Sequence, residues 1–228
     1  MVRKMSESRK SLYLFTLFIF FLCFTMAVLD LFIHPYPIKS IIKWILFFGI
    51  PLIYMKYRPA GIKRPNLKPE KKKIIIALGL GVIVYLFILS SYLIFQNVFD
   101  FSNIINALSG EGIDKNNFLF VALYISFVNS LLEEFFFRVF IYHYIKQWIS
   151  QGQAMFFSAS AFALYHMAIM DSWFSPLLFT LLIISLLVAG YLFLWINDKT
   201  ESFYTSWIVH MFANFSINTI GFILFGII

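Results

Sequence analysis

A single cysteine, Cys23, stands in the chain of 228 residues, and it lies inside an apolar run. It permits neither a disulfide framework nor a CxxC metal site, so it reads as a small buried hydrophobe. The HExxH pattern is also missing, which removes the commonest zinc-peptidase signature. Charge is scarce: 13% of the residues are charged against 61% apolar. Soluble domains carry about a quarter charged and about half apolar residues, so an ordinary soluble domain is excluded. There is no internal repeat and no pair of interrupted spans, features that mark many transporters. The net charge of +7 arises from Lys and Arg gathered in short clusters between apolar runs, not along a polar face. Such clusters are topology signals and not a nucleic-acid footprint, so no nucleic-acid partner is expected.

What remains is a set of long hydrophobic runs. A helix needs about 20 apolar residues to cross a bilayer. Seven runs qualify: Leu12 to Ile33, Ile38 to Met55, Ile74 to Phe95, Phe118 to Ile145, Ala154 to Met170, Phe174 to Ile196, and Phe203 to Phe225. The predicted fold is therefore all-α, a polytopic transmembrane helix bundle of about seven spans, or eight. Residues 1–10 read as a basic cytoplasmic tail and 11–228 as one transmembrane domain. The first run exceeds the h-region of a secretory signal and no small-residue cleavage site follows, so it is expected to be retained as a span.

Lys and Arg accumulate in cytoplasmic loops. With the N-terminus inside, Arg3, Lys4, Arg9 and Lys10, the cluster from Lys56 to Lys73, Lys146 and Lys199 all fall on the cytoplasmic side, leaving Lys39, Lys43 and Lys115 outside. Pro59, Gly61, Pro65 and Pro69 make the basic second cytoplasmic loop a poor helix former. Trp148, Trp173, Trp195 and Trp207 lie near span ends, as an interfacial belt requires, and Asp30 and His34 fall where the outer interface would hydrate them.

The fourth run contains LLEEFFFRVF, residues 131 to 140. A charge at the centre of a spanning helix costs about 3 kcal/mol on the insertion scale, while each large apolar residue returns only about 0.3–0.6. Three charges facing lipid would outweigh a dozen apolar neighbours, so they must face protein or a water-filled cavity. Helical spacing puts Ser130, Glu134 and Arg138 on one stripe and Asn129 with Glu133 on a second, about 100° away. Glu134 can pair with Arg138; Glu133 has no counter-charge on its own stripe. The alternative is a purely structural ion pair. The neighbouring Phe135 to Phe137 read as lipid-facing or packing surface.

Two further spans carry polar residues at depth: Phe162 and His166 in FALYH, and His210 and Asn214 in HMFAN, each pair one turn apart. Two intramembrane histidines and an unpaired glutamate on three helices form a candidate site. Two chemistries fit. In one, Glu133, His166 and His210 ligate a divalent metal such as zinc, with water in the open position. In the other no cofactor is needed: Glu133 is the general base, His166 positions the water, and His210 with Asn214 stabilises an oxyanion.

The three patterns EExxxR (Glu133, Glu134, Arg138), FxxxH (Phe162, His166) and HxxxN (His210, Asn214), in this order, resemble the CPBP intramembrane endopeptidases. That family is named for CAAX proteases and bacteriocin-processing enzymes and is also called Abi. The resemblance covers about residues 118–218. It implies a peptidase in which Glu133 and His166 activate water, His210 and Asn214 stabilise the oxyanion, and Glu134, Arg138 and Phe162 support them. It also implies a glutamic type over a metallopeptidase, and CAAX-like or bacteriocin and peptide processing as the activity.

The expected partners are the lipid bilayer and a membrane-associated protein or peptide substrate. The expected location is the plasma membrane of a prokaryote, because the Ile, Phe and Lys bias points to an AT-rich genome. The active site is expected toward the cytoplasmic half. The rival reading is a non-catalytic membrane immunity or binding protein whose polar cluster serves only packing.

Overall fold

The computed structural model describes residues 2–57, 70–170 and 173–228, with side chains from residue 8 onward. The irregular loop expected around Pro59, Gly61, Pro65 and Pro69 lies outside the described residues. The described residues form eight helices and no strand: α1 (Val2–Phe32), α2 (Tyr36–Lys56), α3 (Lys71–Phe95), α4 (Ser102–Gly110), α5 (Phe118–Ile145), α6 (Gln151–Ile169), α7 (Pro176–Thr200) and α8 (Phe203–Leu224). All but α6 and the short α4 are long and apolar enough to cross a membrane. Seven of the eight coincide with the predicted spans to within a few residues, apart from α1, which continues back through the basic N-terminal residues. Helix α4 was not predicted, and its nine residues are too few to span. Helix α6, in the place of the fifth predicted span, has 19 residues; Gln, Ser, Tyr and His dilute its apolar character.

Local chemistry sets several of the boundaries. Ser150 and Gln153 close a capping box at the start of α6, satisfying backbone N–H groups that would otherwise be unpaired. Pro176 occupies the first turn of α7, where its missing N–H is harmless. That helix runs to Thr200 and ends at Glu201, which adopts a left-handed φ of 48°.

Helix α5 is the centre of the bundle, in contact with α2, α6, α7 and α8. It is not a regular helix. Two wide π-helical stretches, Tyr124–Asn129 and Phe135–Tyr142, flank a short α-helical stretch, Ser130–Glu134. Such stretches are uncommon and concentrate at functional sites. Polar side chains from neighbouring helices answer carbonyls along α5, as a low-dielectric surrounding demands. Ser158 of α6 donates to Phe137 O at 2.7 Å, Asn214 of α8 to Ile125 O at 3.2 Å, and Asn218 to Ala122 O at 3.0 Å.

Aromatic rings fill the space around this axis. Phe135, Phe136 and Phe137 are all buried, so they are packing surface and not lipid-facing. Phe136 stacks on Phe47 of α2 with ring centroids 4.0 Å apart and planes 3° apart, while Phe137 meets Phe162 edge to face at 5.2 Å. The outside of the bundle carries Phe20, Phe21, Phe32, Ile75, Phe87 and Phe120, all exposed. An apolar surface of this extent requires lipid.

Close helix approach depends on glycine at two points, Gly81 of α3 against Phe212 of α8 and Gly221 of α8 against Phe118 of α5. A Cβ on Gly81 of α3 would sit 2.6 Å from Phe212 Cδ2 and 3.1 Å from Phe212 Cβ of α8. Small residues permit such contacts between membrane helices. Gly81→Ala is expected to destabilise the protein by about 1–3 kcal/mol, the usual penalty of overpacking. The check is the thermal unfolding midpoint in detergent, with Gly79→Ala, where a Cβ meets nothing within 4 Å, as the neutral control.

Candidate active site

Glu133 lies near the middle of α5 and is 2% exposed. Its two carboxylate oxygens have different surroundings. Oε1 accepts from Lys43 Nζ of α2 at 2.5 Å and from Asn129 Nδ2, one turn earlier on α5, at 3.1 Å. Oε2 faces His166 Nε2 of α6 at 3.9 Å and His210 Nε2 of α8 at 3.6 Å. The structure thus gathers Glu133, His166 and His210 from three helices around one oxygen atom.

The remote nitrogens of both rings are anchored. His166 Nδ1 lies 2.7 Å from Phe162 O, and a carbonyl can only accept, so Nδ1 carries the hydrogen. His210 Nδ1 lies 2.9 Å from Glu134 Oε1, and the same argument applies to a carboxylate. In the neutral rings both Nε2 atoms are then acceptors turned toward a third acceptor, Oε2. Separations of 3.6 and 3.9 Å exceed a direct hydrogen bond. Three convergent polar atoms at this spacing leave room for a small bridging group such as a water molecule.

Behind His210 stands the Glu134–Arg138 pair anticipated from the i, i+4 spacing, with Arg138 Nε 3.3 Å from Glu134 Oε2. Both side chains are fully buried. The Arg138 guanidinium carbon lies 4.6 Å from the Phe162 ring centroid and 5.3 Å from that of Phe193, a cation–π sandwich in a desolvated site. Phe162 therefore serves twice: its carbonyl fixes the His166 ring and its own ring covers Arg138. Arg138 also borders a cavity of about 260 Å³ between the ends of α5 and α7, lined in addition by Tyr142, Lys146, Asp198 and Glu201. Tyr142 is buried and donates to Asp198 at 2.7 Å.

Asn214 is buried one turn beyond His210, but its amide nitrogen already donates to Ile125 O at 3.2 Å. One of its two N–H hydrogens remains for another acceptor. Trp207, read as part of an interfacial belt, is directed inward and donates to Phe127 O and Ser130 Oγ at 3.2 and 3.1 Å.

Lys43 is the residue that sequence reading missed. It had been assigned with Lys39 to an outer segment, yet both lie within α2 and are buried. Lys39 meets Glu111 Oε1 at 2.9 Å and Asp30 Oδ1 at 3.9 Å, which also removes Asp30 from the hydrated interface. The signal was present: the cost argument that flags LLEEFFFRVF applies equally to two lysines inside the run from Ile38 to Met55.

The metal reading meets an obstacle. Among the described residues no group of three His, Cys, Asp or Glu side chains is arranged to hold a metal ion. The Lys43 ammonium, 2.5 Å from Glu133 Oε1, would also repel a divalent cation on the same carboxylate.

Residues 115–216 match the type II CAAX prenyl endopeptidase Rce1-like family. This agrees with the resemblance carried by the three motifs, all seven residues of which lie inside the matched segment. The Rce1-like segment covers somewhat less than half of the chain, running from just before α5 into α8. It includes Glu133, His166 and His210 but not Lys43. Curated proteins and solved structures give no match to the chain.

Proposed function

We propose that the chain is an intramembrane endopeptidase that hydrolyses a peptide bond of a membrane-associated substrate with a glutamate-activated water. The observation that carries this reading is the convergence of His166 Nε2 and His210 Nε2 on Glu133 Oε2 at 3.9 and 3.6 Å, in a segment that matches a peptidase family.

A water between these atoms donates one hydrogen to Oε2 and the other to His166 Nε2, which leaves a lone pair free to attack the scissile carbonyl carbon. As the C–O bond forms, Glu133 takes the proton. The oxyanion then accepts from the remaining N–H of Asn214 and from His210 Nε2–H, a role that requires His210 to enter the reaction as the imidazolium and not as the neutral ring. Glu134 balances the imidazolium charge, and Arg138 in turn balances Glu134. Collapse of the tetrahedral intermediate breaks the C–N bond, and the proton held by Glu133 passes to the leaving amine. This route requires no metal.

The charge distribution supports a cytoplasmic N-terminus. With Lys39 and Lys43 paired inside the bundle, Lys115 alone remains of the three lysines assigned outside, which sharpens the positive-inside asymmetry. For the substrate we favour a peptide precursor or membrane regulator over a prenylated protein, on the prokaryotic composition.

The test compares membranes carrying the wild-type chain with His166→Ala and His210→Ala versions. Two readouts apply: new peptide N-termini in the membrane proteome, and release of fluorescence from a quenched CAAX-terminated peptide offered with and without a farnesyl group. Wild-type-dependent cleavage lost in both variants is expected, with loss of roughly 10²-fold or more, and phenanthroline or EDTA should leave the wild-type rate unchanged. Retention of full biological activity by both folded variants would leave the non-catalytic binding reading standing. Chelator loss restored only by an added divalent ion would overturn the metal-free mechanism.

A further inference from the structure

Resting on the peptidase reading, we infer that Lys43 is a positioning residue for the general base. It pins Glu133 Oε1, so that Oε2 alone is presented to the two histidines and the attacking water. The contacts on Oε1 are specific: Lys43 Nζ at 2.5 Å and Asn129 Nδ2 at 3.1 Å, with Lys43 Nζ also donating to Asn129 Oδ1 at 2.6 Å. Lys43, Asn129 and Glu133 form a closed triangle of hydrogen bonds, each with an ionised partner, and the two donated by the ammonium are short.

The ammonium is itself immobilised. It is 5% exposed and lies 5.0 Å from the Tyr165 ring centroid and 5.5 Å from that of Phe47. Rings at this range attract a desolvated cation. Helix rotation is fixed as well. Lys39 and Lys43 share one face of α2, where two like charges one turn apart repel unless each has its own partner. Lys39 takes Glu111 and Asp30, and Lys43 takes Glu133. A free carboxylate rotates about its terminal torsion, because that torsion is broad and twofold. Locking one oxygen removes this freedom and fixes the distance from the other oxygen to the water.

The consequence for function is that α2, outside the family-matched segment, completes the site. A second-helix lysine does for this carboxylate what an aspartate does for the histidine of a serine-peptidase triad: it holds the base in one orientation without touching substrate.

The test uses the full chain in detergent or liposomes, with whichever peptide the wild type cleaves and Glu133→Gln does not. Lys43→Met is expected to lower kcat about 10²-fold, the typical effect of a misplaced catalytic group, with KM within twofold. Lys43→Arg, which restores a cation to Oε1, should recover kcat to within tenfold of wild type. Should Lys43→Met fail to fold, Asn129→Ala retains the ion pair and removes one anchor. It should lower kcat several-fold at unchanged KM. A folded Lys43→Met or Asn129→Ala with wild-type kcat, or Met and Arg variants that behave alike, overturns the positioning role while leaving the peptidase reading intact. Absence of any Glu133-dependent cleavage by the wild-type chain overturns the peptidase reading itself.

Discussion

Glu133→Gln is expected to remove roughly 10²–10⁴-fold of the cleavage rate, the range that a positioned general base contributes, and to lower stability because the buried Lys43 ammonium loses its counter-charge, although its hydrogen bonds are kept. The amide oxygen of glutamine can occupy the place of Oε1 and still accept from Lys43 Nζ and Asn129 Nδ2, so no buried donor is stranded. The amide nitrogen then takes the place of Oε2 between the two histidines, where it has no capacity to accept a proton from water. Single-turnover cleavage in membranes, together with the unfolding midpoint in detergent, separates the chemistry from stability. A folded Glu133→Gln chain that cleaves within tenfold of wild type would show that another group is the base.

Arg138→Met is expected to have the largest effect on stability. Glu134 is fully buried, with Arg138 on one oxygen and His210 Nδ1 on the other. Loss of the guanidinium leaves a carboxylate inside the bundle without its compensating cation, which costs about 3–5 kcal/mol when a buried pair is broken from one side. It also empties the space between Phe162 and Phe193. Removing both charges together, as Glu134→Gln with Arg138→Met, should recover most of that stability, because the penalty arises from the unmatched charge and not from absence of the pair. Arg138→Lys should recover only part, since a lysine lacks the flat guanidinium that fills the gap between two rings. Thermal or chemical unfolding of the three variants in one detergent gives the order directly. If Arg138→Met unfolds with wild-type stability, the pair carries no structural weight.

Periodicity and cost were enough to single out much of the buried polar cluster. The i, i+4 spacing of Glu134 and Arg138 predicted a pair that is present at 3.3 Å. Separation of Glu133 onto a second stripe predicted that it would be free of Arg138, and its ionisable partners indeed lie on other helices. What spacing along one helix could not reveal is a partner 90 residues away. Lys43 was read as a topology charge because the positive-inside rule counts lysines by segment and has no access to what a lysine faces. The wide π-helical stretches of α5 were equally illegible. Nothing in Tyr124–Asn129 or Phe135–Tyr142 marks an extra residue per turn; the stretches persist alongside side chains from α6 and α8 that bond carbonyls within them.

By itself the sequence determined that the chain crosses a membrane several times as helices, because so few of its residues are charged. It determined too that the polar residues of three runs must face inward, because lipid makes any other arrangement costly. Only the tertiary structure decided that His166 and His210 turn the same nitrogen toward the same oxygen of Glu133, and that Lys43 holds the other oxygen. Those relations depend on how far each helix is rotated and shifted against its neighbours. That is settled by close contacts such as Gly81 on Phe212 and by charge pairs between helices, and neither leaves a period along the chain.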